Sequence, residues 1–460
     1  MAENPKLIDK WFIALPRHAR RAMPAVIAAA DASNTPLYLV GGPLRDLLLD
    51  QPPLDVDLVV EADAIEFARL AGRYLDARVK THHAFGTATI SGPEYVIDIA
   101  TARTETYAHP GALPKVRPAP IADDLLRRDF TVNAIALRLN GTDRGEVLDP
   151  TGGRSDLDAR LIRVLHDRSF QDDPTRILRA ARYAARLAFR IEPRTLRWLK
   201  RDTHNIKTIS SARLHHEFAR IFDDPRPEAA LRQLERHGVL AAIHPALRFE
   251  RTETAVFQRL RALNPHGARA AYWSALPSRR SFADVASLAT RLALTRPQRA
   301  AVEAIPRLRN LESRLRAPRS ARPEVLVGRA AATAPRLSRS SVADLLAPFP
   351  IPALWVFAAA TTGPTARRVL DYLTAARHSR PVLRGDDLIA LGVPQGPAVG
   401  EMLRRLRAAK LDGEVKTKRD EIRLVEQSLG RGGFLEESPP ETNPPPSTPR
   451  ARQSAPSRSS

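Results

Sequence analysis

The sequence predicts an α+β protein in which a small mixed α/β domain is followed by a long all-α region. Up to about residue 150, short apolar runs alternate with helical patterns. After Asp149-Pro150 the strand signals nearly disappear, and helical spacing rich in Arg and Ala continues from Pro174 to about Arg423. Prolines divide this second part into helices of ordinary length, because a proline inside a helix costs roughly 3 kcal/mol.

Within the first part, four strands are expected, with a helix between two of them. The helix is predicted over Ala64–Leu75, and the strands at Leu37–Val40, Asp55–Val60, Thr87–Ile90 and Tyr95–Ala100. The whole chain is divided into an N-terminal helical extension (1–35), the mixed α/β domain (36–150), two helical regions (151–250 and 251–425) and a tail (426–460). The tail is rich in Pro, Ser and Arg and has almost no apolar residue to bury, so we expect it to be disordered.

Charge and composition narrow the class of partner. The formal charge of +21 attracts polyanions, and nucleic acid is the commonest polyanion in cells, with membrane surfaces as the alternative. The chain has no cysteine, which excludes disulfides and thiolate metal sites. It also has no apolar stretch of signal-peptide length after its N-terminal charges, and none of about 18 residues elsewhere. We therefore expect a cytoplasmic protein with no membrane partner, and the sequence leaves the oligomeric state open.

A glycine pair marks the first candidate site. Gly41 and Gly42 lie between a predicted strand and a predicted helix that carries Arg45 and Asp46. Backbone N–H groups at such a helix start are free to bind a triphosphate. An ordinary tight turn explains the glycine pair as well, so the motif by itself is a weak signal.

Two acids follow on the next predicted strand. Asp55 and Asp57 are separated by one residue, and strand alternation places both carboxylates on one face, where they can bind one or two hard cations. Two Mg²⁺ ions about 4 Å apart would activate a 3′-hydroxyl and stabilise a leaving pyrophosphate. The alternative is the solvent face of a half-exposed strand.

Acids and arginines crowd together in a second stretch, Asp123 to Ala134. Arg127, Arg128 and Asp129 are adjacent, and Asn133 follows closely. The crowding predicts a metal or phosphate contact with Asp129 as a third carboxylate. A solvated helix start with local ion pairs is an equally good explanation.

A third stretch pairs a carboxylate with a guanidinium. Asp173 and Arg176 lie three residues apart on one helical face, so an acceptor and a donor together can read the Watson–Crick edge of a base. The alternative is structural: Asp173 before Pro174 is a good N-cap, with Arg176 as its ion-pair partner.

In this order and at these spacings, the three stretches resemble those of the class II tRNA nucleotidyltransferases and bacterial poly(A) polymerases. The resemblance covers roughly residues 36–245. It implies a head domain related to DNA polymerase beta followed by helical neck, body and tail regions. It also implies Mg²⁺ as cofactor, ATP and CTP as substrates, and RNA as partner.

The resemblance assigns roles to the matching residues. Asp55 and Asp57 become metal-binding catalytic residues, and Asp129 a further catalytic carboxylate. The implied nucleotide-binding residues are Gly41, Gly42, Arg45, Asp46, Arg127, Arg128, Asn133, Asp173, Arg176, Arg179 and Arg182. Asp172 departs from the family's pattern, because it stands where the family usually has Glu and is one methylene shorter. Asp98, at the end of a predicted strand, is expected to be supporting and not a ligand.

Two further segments bear on the substrate. Tyr107 to Ala122 resembles the family's mobile segment, whose motion would couple base selection to chemistry. Leu383 to Val415 resembles the tail of tRNA nucleotidyltransferases and carries Arg404, Arg405 and Arg407, so tRNA is the expected RNA. We therefore predict addition of C and/or A to the 3′ end of tRNA. The alternatives are a poly(A) polymerase and a non-catalytic RNA-binding protein that keeps the fold.

Overall fold

The computed structural model describes residues 5–52, 56–277, 280–316 and 337–430. The chain divides into two compact units, the first made of Met1–Arg316 and Pro348–Leu373 and the second of Ala317–Ala347 and Thr374–Ser460. The boundaries expected at residues 150 and 250 lie inside the first unit and stay predictions.

Strands are concentrated in the first half of the first unit. In chain order they are β1 (Leu37–Val40), β2 (Asp57–Val60), β3 (Arg78–His82), β4 (Thr87–Ser91), β5 (Val96–Thr101), β6 (Arg103–Thr106), β7 (Lys115–Pro118), β8 (Ala136–Arg138), β9 (Val147–Leu148), β10 (Leu161–Ile162) and β11 (Arg190–Ile191). Seven of them form one sheet in the order β3-β4-β5-β2-β1-β8-β9. Within it, β2 and β5 are parallel and the other neighbours are antiparallel.

Helices make up most of the remainder. They are α1 (Pro5–Ala14), α2 (Arg17–Ala32), α3 (Gly41–Leu48), α4 (Ala64–Leu75), α5 (Ile121–Leu126), α6 (Gly153–Asp158), α7 (Ser169–Asp172), α8 (Thr175–Leu187), α9 (Pro193–Asp202), α10 (Ser211–Asp223), α11 (Pro227–Arg236), α12 (Val239–Ile243), α13 (Arg251–Leu263), α14 (Ala268–Ala275), α15 (Phe282–Arg291), α16 (Arg296–Asn310), α17 (Glu312–Arg316), α18 (Arg339–Leu346), α19 (Ile351–Ala360), α20 (Gly363–Thr374), α21 (Gly385–Ala390), α22 (Pro397–Asp412) and α23 (Lys418–Gly430). The predicted α+β class is confirmed.

Local signals explain why α4 begins and ends where the sequence predicts. The Asp63 side chain accepts hydrogen bonds from the backbone N–H groups of Ile65 and Glu66, which caps the start of the helix. Asp76 adopts a left-handed conformation (φ 46°) at the other end. One face of α4 packs on the sheet and on α2, so the helix lies between the N-terminal extension and the strands.

Separate apolar cores hold the sheet and the helical parts. The core beside the sheet contains Tyr38, Val40 and Val59, against which Ile121 and Leu125 of α5 pack. The helical part of the first unit is built around an aromatic cluster: Phe218, Phe222, Phe249, Phe257, Tyr272 and Trp273. The second unit has its own core, which contains Leu383, Leu388, Val393, Met402, Leu406 and Val425.

Three expectations are modified by the structure. The segment Tyr107–Ala122, which resembles the family's mobile segment, contains the regular strand β7, which pairs with β6 to form a hairpin. Short strands β10 and β11 occur after residue 150, where strand signals were nearly absent. Helix α23 continues to Gly430, past the expected start of the tail at 426, whereas 431–460 and 317–336 lie outside the described residues.

Within the described ranges, no single helix is long and apolar enough to cross a membrane. Only α18 and α19 taken together meet the required length and composition.

Candidate active site

One cavity of about 980 Å³ in the first unit collects residues from all three sequence motifs. Its walls come from the β1–α3 junction, β2, β5, the segment after α5, and helices α8 and α10. Nine arginines and seven Asp or Glu residues line it, so the lining is rich in charge and positive on balance. Such a cavity suits an anionic ligand whose charge is unevenly distributed.

Gly41 forms the turn at one end of the cavity. Its φ of +68° is unfavourable for residues with a Cβ, and a Cβ built there would lie 3.0 Å from Nη1 of Arg128. Helix α3 begins at this glycine, and its N-cap residue Val40 provides no side-chain hydrogen bond. The first N–H groups of α3 are therefore left without a side-chain cap at the cavity wall.

Arg45 and Asp46 form a buried pair on α3. Arg45 is only 2% exposed, and its Nε and Nη2 donate to Oδ1 of Asp46 at 2.8 and 2.6 Å. Its Nη1 donates to Oδ1 of Asn133 at 2.6 Å, and its guanidinium lies 5.2 Å from the ring centroid of Tyr183. These contacts fix the Arg45 guanidinium between the predicted phosphate motif and α8.

Two carboxylates meet where β2 and β5 run side by side. Asp57 pairs in register with Asp98, and residues in register on neighbouring strands project to the same face. Both line the cavity, and Thr89 donates to Oδ1 of Asp98 at 2.7 Å. The sequence predicts a supporting role for Asp98, and the structure places this residue directly beside Asp57 on the neighbouring strand. Asp55 lies outside the described residues.

The Arg-Arg-Asp segment is organised by a buried carboxylate. Asp124 is 0% exposed and accepts from Arg127 at 2.6 Å and from Arg128 at 2.8 Å. Burial alone would raise the pKa of Asp124, but Arg128 and Arg127 hold this pKa below its ordinary value. The sequence alternative of a solvated helix start is wrong here, because the ion pairs are built on a fully buried acid.

Asp129 is fully engaged by neighbouring donors. Its Oδ2 accepts from Arg179 at 2.5 and 2.8 Å, and its Oδ1 accepts from the Asn133 amide and the Phe130 N–H. Burial would raise its pKa, but Arg179 and Asn133 together lower it. Asp129 therefore holds Arg179 and Asn133 in place, and its expected catalytic role stays a prediction.

The side chains of Asp173 and Arg176 both line the cavity and do not pair with each other in the described contacts, although the Arg176 N–H donates to the backbone carbonyl of Asp173 at 3.0 Å. Asp173 accepts through Oδ1 from Thr175 N, from Thr175 Oγ1 and from Arg213 Nη2, the last at 2.6 Å. Arg176 is 5% exposed and donates through Nη2 to the backbone carbonyl of Arg127 at 2.7 Å. Its Nη1 is buried with no hydrogen-bond partner among the described residues. The structural alternative is therefore half right: Asp173 caps α8, but Arg176 is not its ion-pair partner.

Asp172 does not support Arg176 in the described residues. Its carboxylate lies 3.8 Å from Nε2 of His166, and both residues line a small second cavity of about 240 Å³ together with Arg176. Burial lowers the pKa of His166. Among the described residues, Arg176 is held by the backbone carbonyl of Arg127.

Two further arginines of α8 and one of α3 lie around a tyrosine ring at the cavity wall. Arg179, Arg182 and Arg45 surround the ring of Tyr183, with guanidinium carbons 5.2–5.5 Å from its centroid. Arg182 also donates to Asp224 at 3.0 Å. The structure thus places all the predicted nucleotide-binding residues around one cavity.

Sequence reasoning missed a group of cavity residues on α10. Arg213, His216, Glu217 and Arg220 lie on one face of this helix, at spacings of three and four residues, and line the cavity beside α8, against which α10 packs. The only sequence signal was this helical spacing, which any amphipathic helix shares.

Arg213 also reaches the tip of the β6–β7 hairpin. Its Nη1 donates to the carbonyl of Gly111 at 3.1 Å, while its Nη2 holds Asp173. Gly111 has φ +80°, and a Cβ built there would lie 2.4 Å from Oγ1 of Thr208. At the base of the hairpin, Glu105 accepts from Arg127 at 2.8 Å and from the Tyr107 hydroxyl at 2.7 Å.

Family models match the region that builds this cavity. Residues 37–163 match the Poly A polymerase head domain, and residues 188–250 match the model described as the probable RNA- and SrmB-binding site of polymerase A. The two matched segments supply the sheet on one side of the cavity and helix α10 on the other.

Curated relatives extend the similarity over most of the chain. An A-adding tRNA nucleotidyltransferase of Halalkalibacterium halodurans is 33% identical over 399 residues, covering 85% of this chain and 88% of the relative. A CC-adding tRNA nucleotidyltransferase of Deinococcus radiodurans is 32% identical over 404 residues, covering 86% and 90%. An A-adding enzyme of Geobacter sulfurreducens is 32% identical over 427 residues, but the match spans 47% of that longer protein.

Solved structures agree with the curated relatives. The CCA-adding enzyme of Thermotoga maritima complexed with tRNA superposes with a TM-score of 0.67 at 28% identity, covering 92% of this chain and 98% of that one. A CCA-adding enzyme in complex with ATP gives a TM-score of 0.70, also at 28% identity and with the same coverage. The resemblance expected from the three motifs is confirmed, and the chain belongs to the tRNA nucleotidyltransferase family of enzymes.

Proposed function

We propose that this protein adds C and/or A to the 3′ end of tRNA, using CTP and ATP and releasing pyrophosphate. One observation carries the proposal: a single cavity joins the start of α3, the carboxylates of β2 and β5, and the Asp173/Arg176 pair. These are the parts needed to hold a triphosphate, to carry out transfer at its α-phosphorus and to select a base. The acceptor is proposed to be tRNA because two relatives that match most of the chain carry tRNA nucleotidyltransferase in their names.

The triphosphate is proposed to bind at the β1–α3 junction. Helix N-termini favour anions, and the first N–H groups of α3 have no side-chain cap. Arg128 lies close to Gly41 and adds a positive charge at the same point. Gly41 leaves room there for the approaching phosphates, because a Cβ would fill the space beside Arg128.

Asp57 and Asp98, together with Asp55, are the residues proposed to bind Mg²⁺. Carboxylate oxygens are the donors that Mg²⁺ prefers, and it is usually held by one or two carboxylates plus substrate phosphates. When bound, the metal would polarise the attacking hydroxyl and neutralise the leaving pyrophosphate.

The chain's own residues then orient the reacting groups. The 3′-hydroxyl oxygen of the RNA forms a bond to the α-phosphorus, the bond from that phosphorus to pyrophosphate breaks, and the hydroxyl proton is released to solvent. Arg176 supplies a donor and Asp173 an acceptor to the edge of the incoming base, since Nη1 of Arg176 and Oδ2 of Asp173 have no hydrogen bond from the described residues. The base is thus chosen by side chains in place of a template.

The experiment that tests this function uses three acceptor tRNAs: one lacking the terminal CCA, one ending in CC and one complete. Each is incubated with the protein, Mg²⁺ and CTP, ATP or both, and the products are resolved at single-nucleotide length. A defined stop after one, two or three additions is expected, and the tRNA that is extended identifies A, CC or CCA addition. Unlimited extension of unstructured RNA with ATP would favour poly(A) polymerase, and no extension of any RNA would contradict an enzyme.

A further inference from the structure

Glu217 is a buried acid in the cavity that none of the steps above uses. It lies on α10, is 6% exposed and lines the cavity beside α8. Its Oε1 lies 4.0 Å from Nη1 of Arg179, too far for a hydrogen bond, because the Nε and Nη2 of Arg179 are directed at Asp129. Its Oε2 is buried and has no hydrogen-bond partner among the described residues.

An unpaired carboxylate oxygen at this position needs an explanation. Leaving a buried polar atom without a partner costs about 1–3 kcal/mol, and more for a charged group. Natural structures keep few such atoms, and those that persist often belong to functional sites. The same cavity holds one other buried and unpaired side-chain atom from the described residues, Nη1 of Arg176. One atom is an acceptor and the other a donor, which is the pattern left by a polar ligand that pairs with both.

The charge of Glu217 decides which part of a nucleotide can lie against it. A carboxylate repels phosphate, so the triphosphate is not expected in direct contact with Glu217, whereas Gly41 and Arg128 at the start of α3 offer it an anion-binding place. The neutral hydrogen-bond donors of ATP and CTP are the exocyclic amine of the base and the sugar hydroxyls. Glu217 lies beside Arg179, which follows the base-selecting Arg176 by one helical turn, and both donor types fall within this part of a bound nucleotide.

We propose that Oε2 of Glu217 accepts a hydrogen bond from a neutral donor of the incoming ribonucleotide and thereby contributes to its selection. The proposal rests on the function proposed above, since it requires the nucleotide to bind in this cavity. It adds a specificity-determining residue from α10 to Asp173 and Arg176 at the start of α8. The shared chemistry is a neutral N–H or O–H donor, with the base amine and the sugar hydroxyl as its two sources.

The test couples changes in the protein with changes in the ligand. Equilibrium dissociation constants are measured for whichever of ATP and CTP the wild-type protein incorporates, and for analogues lacking the 2′-hydroxyl, the 3′-hydroxyl or the exocyclic amine. For wild type, loss of the group that contacts Glu217 is expected to weaken binding about tenfold or more, because hydrogen bonds to charged groups are strong. In Glu217→Leu the analogue and the parent nucleotide are expected to bind with about equal dissociation constants, and in Glu217→Gln the ratio of the two constants is expected to be intermediate. The analogue whose penalty disappears identifies the sugar or the base as the source.

A matched control separates this contact from a structural role. Glu228 on α11 is also buried, and it is paired with Arg261 at 2.8 Å outside the cavity. Glu228→Leu and Glu228→Gln are expected to change stability while leaving every analogue penalty as in wild type. If the wild-type protein extends tRNA but the Glu217 variants lose as much affinity for each analogue as wild type does, the proposed Glu217 contact is wrong and the proposed function stands. Wild-type protein that binds no nucleoside triphosphate would overturn the proposed function as well.

Discussion

At the scale of single residues, the cavity contains two kinds of charged group. Some already have a partner within the protein, and others are available to a ligand. Arg45, Arg128 and Arg179 each have a buried carboxylate partner. Their geometry is therefore fixed before a nucleotide binds, and little ordering entropy remains to be lost on binding. Arg176 is also fixed, but by a carbonyl that leaves one of its nitrogens unpaired. Rigid placement with an unused donor is the property expected of a residue that reads a base.

Asp57→Asn is expected to abolish nucleotide addition while leaving binding of nucleotide and RNA nearly unchanged. The substitution keeps the shape of the side chain but removes the charge proposed to hold the metal, and losses of several kcal/mol in the transition state correspond to about a thousandfold or more in rate. Single-turnover rates and dissociation constants measured on the same preparation check this. Asp143→Asn, at an exposed acid, is the control. Equal losses of binding and rate would assign Asp57 to substrate binding and not to chemistry.

Arg176→Ala is expected to relax the choice among nucleotides. A lost bidentate contact to a base costs about 1–3 kcal/mol of discrimination, so misincorporation of U and G should rise relative to C or A. Competition assays with all four triphosphates measure the change, with Arg197→Ala at an exposed position of α9 as the matched control. Selectivity equal to that of wild type would leave Arg176 with only a structural role at the start of α8.

Asp124→Asn is expected to destabilise the protein at neutral pH. It is also expected to make the free energy of unfolding depend less on pH in the acid range. Removing one partner of a buried ion-pair network costs about 3–5 kcal/mol. Because the pKa of Asp124 is held below its ordinary value in the folded protein, its contribution is present above about pH 4 and is lost as the pH falls through the lowered pKa. Unfolding free energies measured from pH 7 to pH 3 check both points. Asp123→Asn, on the exposed side of the same helix, should match wild type throughout, and an equal effect of the two variants would contradict the buried network.

At the scale of secondary-structure elements, the β6–β7 hairpin connects the parts of the site. Its base contacts Arg127 through Glu105, and its tip contacts Arg213 through the carbonyl of Gly111. Arg127 holds Arg176 through its carbonyl, and Arg213 holds Asp173. Both members of the pair proposed to select the base are therefore attached to one hairpin, which gives a physical route by which hairpin position would affect nucleotide choice.

Elements with local signals were predictable from the sequence, and contacts between distant segments were not. Helix α4 carries its own caps at Asp63 and Asp76, so its bounds agree with the prediction. The pairing of Asp57 with Asp98 depends on two strands separated by some 40 residues, and no local pattern specifies that they run parallel and in register. Glu217 likewise gave no signal, because its unpaired oxygen is a property of the packing of α10 and not of the sequence around it.

Gly111→Ala is expected to displace the hairpin tip and to alter nucleotide selection without unfolding the protein. The added Cβ would clash with Thr208 at a position that already has positive φ. Gly152→Ala is a matched control, because Gly152 also has positive φ (+73°) but a Cβ there would meet nothing within 4 Å. Hydrogen exchange across residues 107–114 should increase only in Gly111→Ala, together with a change in the ratio of kcat/KM values for CTP and ATP. Unchanged exchange and selectivity would show that the contact at the tip has no role in selection.

At the scale of the whole molecule, the two units differ in what they contribute. The first unit contains the cavity and every described candidate catalytic residue. The second is a small helical unit with a basic helix, α22, whose Arg404 and Arg405 are exposed. Arg407 on the same helix is directed inward and donates to the carbonyls of Ser379 and Ala376. The exposed pair is therefore available to RNA, whereas Arg407 stabilises the unit.

Arg404→Ala combined with Arg405→Ala is expected to weaken tRNA binding without affecting chemistry. Neutralising two phosphate contacts should lower the magnitude of the slope of log Kd against log salt concentration by about two, because each contact releases roughly one counterion. Binding titrations at several salt concentrations measure the slope, and single-turnover rates at saturating tRNA should match wild type. Arg407→Ala should instead lower the melting temperature of the second unit. A double variant with the wild-type salt slope would exclude α22 from the phosphate-binding surface, and the net charge of +21 would then act on RNA through the first unit.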